Sequence, residues 1–227
     1  MGSITRSGTD GTAAPLRRDA RRSRELLLDA ARQVFADRGL DAPLDVIARR
    51  AGVGNATLYR HFPTRAALVD AVFGDLLAAT GAAGERARAA EDAWQGLTDY
   101  LQHVFATLAA DRGTNDLMTT HLPDSAALQA VHEHNRQTVD LLLGRGRDQG
   151  SVRADLTTED LLLALAALGR TVPALAGAVG PDAWRRPLAL FLDGLRPSPA
   201  HPPLPAPALT SEQLAGVLHH LGPHRAG

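Results

Sequence analysis

Two short helical periods joined by a glycine corner occupy the chain between Leu44 and Phe62. Leu44, Ile47, Ala48 and Ala51 recur at i, i+3, i+4 and i+7, one apolar stripe of a first helix whose other face carries Asp45, Arg49 and Arg50. Gly52 follows where that helix must stop and turn, a place that suits a residue without a Cβ, and Val53 plugs the corner. In the second helix, from about Asn55 to Phe62, Leu58 and Phe62 fall on the buried side. Asn55, Ala56, Thr57, Tyr59, Arg60 and His61 are left facing outward. At about 1.5 Å per residue this helix is about 12 Å long, the width of the major groove of B-DNA. Asn55 and Arg60 carry groups that hydrogen-bond base edges, Ala56 and the Thr57 methyl suit a thymine methyl, and Tyr59 and His61 suit phosphate oxygens. Arg65, opening the next helix after Pro63 and Thr64, adds a cation beside the same strand.

The charge distribution agrees with a nucleic-acid partner for one end of the chain. Residues 1–70 hold 12 arginines and 8 acidic side chains, net +4, and the remainder holds 12 and 17, net −5. Positive charge thus gathers where the helix-turn-helix lies. Apolar residues make up 44% of the chain but aromatics only 4%, so the core is built mainly of Leu, Ala and Val, a composition that favours packed helices. There is no cysteine, which removes disulfides and thiol chemistry. No run of about 18 uninterrupted apolar residues is present, so no membrane association and a cytoplasmic location are expected.

From Arg21 to Val72 the chain resembles the TetR family of transcriptional regulators. The run Ile47-Ala48-Arg49-Arg50-Ala51-Gly52-Val53, followed by Thr57-Leu58-Tyr59-Arg60-His61-Phe62, carries the resemblance. It implies an all-α fold in which an N-terminal three-helix DNA-binding domain, one half of a homodimer, precedes a helical-bundle domain for ligand binding and dimerisation. It also implies DNA contacts at Asn55, Ala56, Thr57, Tyr59, Arg60, His61 and Arg65. Gly54 and Ala56 stand where the family often has a hydroxyl residue and then Gly, so the recognition helix lacks its usual side-chain cap. Pro43 and Leu44 replace a common pair of threonines ahead of it.

Along the chain, residues 1–19 show no period and read as a disordered arm, with Arg17, Arg18, Arg21 and Arg22 just ahead of or at the start of a first helix over about 21–38. Leu27, Ala31, Val34 and Phe35 point that helix toward the core. The DNA-binding domain then covers 20–64 and the regulatory domain 65–196. Thr64 caps a fourth helix running to Leu77 or a little beyond, and Gly81 and Gly84 suggest a loosened end. Further helices are expected over about 91–110, 116–121, 125–149, from Thr157 or Thr158 onward, and over 183–195. Six prolines within 197–209 read as an extended linker, and Thr210 caps a short last helix in 210–227, an appended arm outside the core.

A single recognition helix reads few base pairs, so pairing of two copies on a pseudo-palindromic operator is expected, with Leu161 to Leu168 and Leu188 to Leu195 as the candidate interface. In the family the ligand site lies among the middle helices. Trp94, Leu97, Leu101, Phe105, Met118, His121, Asn135 and Val139 fall there and combine apolar surface with a few polar handles for an unknown small-molecule effector. Catalysis has no foothold: His132 and His134 point about 200° apart on a helix and cannot share a metal, and no Gly-rich phosphate loop or triad is present. No enzyme activity, cofactor or metal is expected. The rivals to a ligand-responsive repressor are an activator of the same fold and a helical interaction protein without specific DNA binding.

Overall fold

The computed structural model describes residues 13–119, 122 and 124–221. Among them are ten α-helices and no strand: α1 (Ala13–Arg38), α2 (Leu44–Arg50), α3 (Asn55–His61), α4 (Arg65–Ala89), α5 (Ala93–Leu108), α6 (Arg112–Thr119), α7 (Ala126–Asp148), α8 (Thr158–Ala178), α9 (Arg185–Leu195) and α10 (Ser211–Leu221). The all-α class follows the sequence. Two cores divide the helices. The first gathers Leu27, Ala31, Val34 and Phe35 of α1, Ile47 and Ala48 of α2, Leu58 of α3, Phe62, the first half of α4 through Leu77, and Leu117, Leu128 and Val131 from α6 and α7. The second joins the far half of α4 to α5, α7, α8 and α9. Helix α4 contributes Leu68, Val72 and Leu77 to one core and Ala83 and Ala87 to the other, so this one helix joins the two.

Local chemistry sets most helix ends. Gly52 takes φ +70°, and the Val53 and Gly52 amides return to the carbonyls of Ala48 and Arg49 at 3.0 and 3.2 Å, the paired bonds that close a helix on a left-handed residue. The Thr64 hydroxyl accepts from the Ala67 amide at 3.1 Å. Thr157 and Asp160 form a reciprocal capping box at the start of α8. By contrast α2 and α3 begin at Pro43 and Gly54 without a side-chain cap.

Three expectations change. Helix α1 starts at Ala13, so Arg18, Arg21 and Arg22 lie exposed along its first turns, Arg21 at 3.6 Å from Glu25, and do not form an arm ahead of it; residues 1–12 of that arm lie outside the described residues. Helix α4 continues to Ala89 without loosening at Gly81 or Gly84. A Cβ on Gly84 would come within 2.3 Å of His134 Nε2 on α7, so the small residue lets α7 approach, and that packing outweighs the weak helix preference of glycine. Finally, α10 is no detached arm. It lies against α8 with Leu214 only 3% exposed, and the linker before it is pinned where Arg153 Nη2 donates to the Pro202 carbonyl at 3.0 Å and the Leu204 amide donates to Asp155 at 2.9 Å.

Helices α4 and α8 are long and apolar enough to cross a membrane by length and composition. Here α4 packs between α5 and α7. Helix α8 is tied into the bundle at its start, where the Thr158 hydroxyl donates to Asp140 at 2.8 Å and Arg136 donates to Glu159 at 2.7 Å.

Candidate functional site

Helix α3 turns Leu58, 1% exposed, into the first core beside Phe62, and the remaining residues of the helix follow from that rotation. Asn55, Ala56, Tyr59 and Arg60 are exposed, while Thr57 and His61 are half-buried at the edges of the face. Tyr59 is 53% exposed, a large aromatic held outward. Arg60 lies along its own helix, donating to the Thr57 hydroxyl at 3.0 Å and to the Ala56 carbonyl at 3.3 Å. Engaging a base edge therefore exchanges two local bonds for new ones. The flanking cations are mostly engaged: Arg49 pairs with Asp45 at 2.9 Å, Arg50 donates to Gln33 at 2.9 Å, and Arg24 lies over the Phe62 ring.

Arg65 also holds the helix-turn-helix unit together. Its Nη1 donates to the carbonyls of both Leu40 and Ala42, the second at 2.9 Å, so the side chain grips the loop between α1 and α2. The reason is the turn at Gly39, φ +81°, which leaves those carbonyls without helical partners. The geometry gives Arg65 the part of a clamp on the helix-turn-helix unit, through Nη1.

A cavity of about 500 Å³ opens in the bundle between α5, α6, α7, α8 and α10. Tyr100, Val104 and Leu108 line it from α5, Met118 and Thr119 from α6, and His132, Asn135 and Val139 from α7. Leu162, Leu165 and Ala166 of α8 and Ala215 and Leu218 of α10 complete it. The Tyr100 hydroxyl donates to Asn135 Oδ1, and burial pushes the phenol well above its ordinary value, so it stays protonated.

Of the expected ligand residues, Met118, Asn135 and Val139 line the cavity, and His121 lies outside the described residues. Trp94, Leu97, Leu101 and Phe105 do not line it. Leu97, Leu101 and Phe105 are 1% exposed or less and face the second core, where Phe105 meets the Trp184 ring at 6.0 Å; Trp94 lies under the Arg196 guanidinium. The cavity takes the neighbouring stripe of α5, Tyr100, Val104 and Leu108, rotated by about one residue from the expected one. Tyr100 was visible as a polar handle inside an apolar period, and it is the residue that would have pointed to that stripe. The α10 residues gave no such sign, since a helix beyond a proline-rich run looks detached from the sequence alone.

The two sites meet at α6. Met118 and Thr119 face the cavity, and two residues before Met118 the buried Asp116 accepts the Leu40 amide at 3.1 Å, at the very loop that Arg65 clamps. Gly113 brings α6 so close to α1 that a Cβ there would lie 2.8 Å from the Phe35 carbonyl carbon.

Comparison with known proteins agrees with this architecture. Residues 27–72 match the family described as bacterial regulatory proteins, tetR family, and residues 92–197 match the C-terminal domain of SbtR-like transcriptional regulators. A TetR transcriptional regulator of Streptomyces coelicolor is 31% identical with a TM-score of 0.50, over 77% of this chain and 99% of that one. The regulator FadR of Bacillus subtilis, solved with stearoyl-CoA, shares the fold at 18% identity and a TM-score of 0.57, over 76% of this chain and 99% of that one. A stretch of 55 residues, 24% of this chain, is 42% identical to the HTH-type transcriptional regulator TtgW of Pseudomonas putida and spans 41% of that protein's length. Helix-turn-helix, two-core bundle and sequence matches on both halves agree: the chain belongs to the TetR family of bacterial regulatory proteins.

Proposed function

We propose that the protein is a homodimeric, ligand-responsive repressor. It holds a pseudo-palindromic operator through two copies of α3 and releases it when a small molecule fills the cavity. The observation that carries this reading is the α6 joint, in which one eight-residue helix gives Met118 and Thr119 to the cavity and Asp116 to the backbone of the DNA-binding unit. A guest that moves α6 therefore acts on the loop that enters α2. Asn55, Ala56, Thr57, Tyr59, Arg60 and His61 are the proposed DNA-facing set. For a nearly complete response the guest must favour the released arrangement by about 5.5 kcal/mol. FadR, with its bound acyl-CoA, is a precedent for ligand occupancy in a bundle of this fold.

The outer faces of α8 and α9 are the proposed dimer surface. Leu161, Leu188, Leu192 and Leu195 are buried within the protomer, so the pairing residues are those beside them: Leu190 is 67% exposed and Val179 76%. Two recognition helices about one turn of DNA apart then set the half-site spacing. A protein that reads chromosomal DNA in this way works in the cytoplasm.

The test is selection of bound duplexes from a random pool by the purified full-length chain, with sedimentation of the resulting complex. Enrichment of a two-fold-related sequence bound by a dimer is expected. Folded protein that enriches nothing, or binds an asymmetric site as a monomer, contradicts the proposal.

A further inference from the structure

Resting on the reading of the cavity as an effector site, we propose that its guest is an uncharged, mainly apolar molecule. We assign α10, carried on the proline-rich strap and latched by Arg136, Glu159 and Ser211, as the movable wall that admits it.

The guest's class follows from what the walls lack. Among the described residues that line the cavity there is no Asp, Glu, Lys or Arg. Tyr100 spends its proton on Asn135 Oδ1, which leaves the Asn135 amide nitrogen as a donor for a carbonyl or ether oxygen. The Thr119 hydroxyl is given to the Asn115 carbonyl at 2.8 Å, and His132 is already partnered within the chain. An anionic guest would exchange its hydration for leucine, valine and methionine side chains with no arginine or lysine among the described lining residues to meet it. At about 500 Å³ the space suits a compact drug-sized molecule. This sets the cavity apart from one that receives a phosphate-bearing thioester of the kind bound by FadR.

The movable wall follows from how α10 is held. The matched regulatory region ends at residue 197, so Ala215 and Leu218 reach the cavity from chain beyond it. Arg153 and Asp155 pin the strap at Pro202 and Leu204, and among the described residues the next side-chain hydrogen bonds along it come at Thr210 and Gln213, which cap the helix reciprocally at 3.2 and 2.9 Å. Among its described side chains, α10 contributes one that is well buried, Leu214, while Val217 and Leu218 stay more than a third exposed. A polar latch adds to it: Arg136 Nη2 donates to Glu159 at 2.7 Å and to the Ser211 hydroxyl at 2.9 Å, and Ser211 donates to Glu159 at 2.7 Å. A helix of 11 residues is marginal by itself, so its place in the bundle depends on its contacts there. The residues between Leu204 and Thr210 are the hinge.

Two fluorescent probes that share a scaffold test this on the full-length protein: neutral phenylnaphthylamine and its sulfonated analogue, anilinonaphthalene sulfonate. The neutral probe is expected to bind about tenfold or more tightly than the sulfonate. Met118→Trp, which fills the cavity from α6, is expected to abolish binding. Ser211→Ala and Leu218→Ala, with helix content unchanged by circular dichroism, are each expected to speed probe release about tenfold in stopped flow. Equal affinity for the two probes overturns the uncharged class. Unchanged release in both α10 variants, with Met118→Trp still blocking, overturns the movable wall and leaves the effector cavity standing. Probe binding that ignores Met118→Trp overturns the cavity reading itself.

Discussion

The helix-turn-helix unit and the bundle behind it are made of the same helical material but hold their proposed sites in opposite ways. On α3 the functional residues are what remains outside once Leu58 is committed to the core. In the bundle the site is an internal space, and membership turns on which of two adjacent stripes of α5 a residue occupies. All six side chains Leu97, Tyr100, Leu101, Val104, Phe105 and Leu108 belong to the second core, but only Tyr100, Val104 and Leu108 also line the cavity. The outward site is set by helical period alone. The inward one depends on a rotation of about 100° per residue that only the neighbouring helices decide.

The sharpest way to break this distinction is Leu101→Ala against Met118→Ala. Leu101 is 0% exposed, and its truncation is expected to cost about 2–5 kcal/mol in denaturant unfolding while leaving probe affinity of the folded protein unchanged. Met118→Ala should lose less stability and change probe affinity. Similar behaviour of the two would merge core and cavity into one interior.

Arg65→Ala separates clamp from contact within the DNA-binding unit. Loss of the bonds to the Leu40 and Ala42 carbonyls is expected to destabilise that unit by about 1–3 kcal/mol, with the salt dependence of duplex affinity unaltered. A slope shallower by about one unit would return Arg65 to a phosphate contact. Arg60→Ala leaves stability nearly unchanged and relaxes base preference by about 1–3 kcal/mol at one position if Arg60 reads a base edge bidentately; selection with the variant protein measures this directly. Uniform weakening across all sequences would place Arg60 on the backbone instead.

The smallest effect concerns acidity. The Arg136 guanidinium, and after it the Ser211 hydroxyl, hold the Glu159 carboxyl below its ordinary value of 4.5. The latch is therefore complete above that value and is lost as the pH falls through the lower folded value. Probe release from the full-length protein is expected to be flat from neutrality to about pH 5 and to quicken only below the ordinary glutamate range. A midpoint near neutrality would assign the latch to another group.

Where a residue's role is local, it was legible. Gly52, Thr64 and Thr157 end or begin helices through bonds to residues within five positions, and each does what its type suggests. Features that the sequence does not show depend on distant partners. Gly84 stays helical because His134 packs where its Cβ would be, and Arg65 turns inward because Gly39 exposes two carbonyls 23 and 25 positions away. Helix α10 reads as an arm until Arg136 and Glu159, more than 50 positions earlier, are seen to hold Ser211. The DNA-facing set of α3 rests on local period, and the cavity rests on long-range packing.

The central claim, that two α3 helices are held at a spacing governed by the cavity, is open to one direct measurement. The chain has no cysteine, so Arg49→Cys on the exposed face of α2 gives a single spin label per protomer. Pulsed dipolar spectroscopy on the full-length protein then reports the distance between the two DNA-binding units. The account predicts an intermolecular distance on the order of one DNA turn, ~35 Å, narrowed by the selected duplex and lengthened by a cavity guest that weakens duplex binding. A chain that gives no intermolecular distance, or one whose distance ignores such a guest, would contradict it.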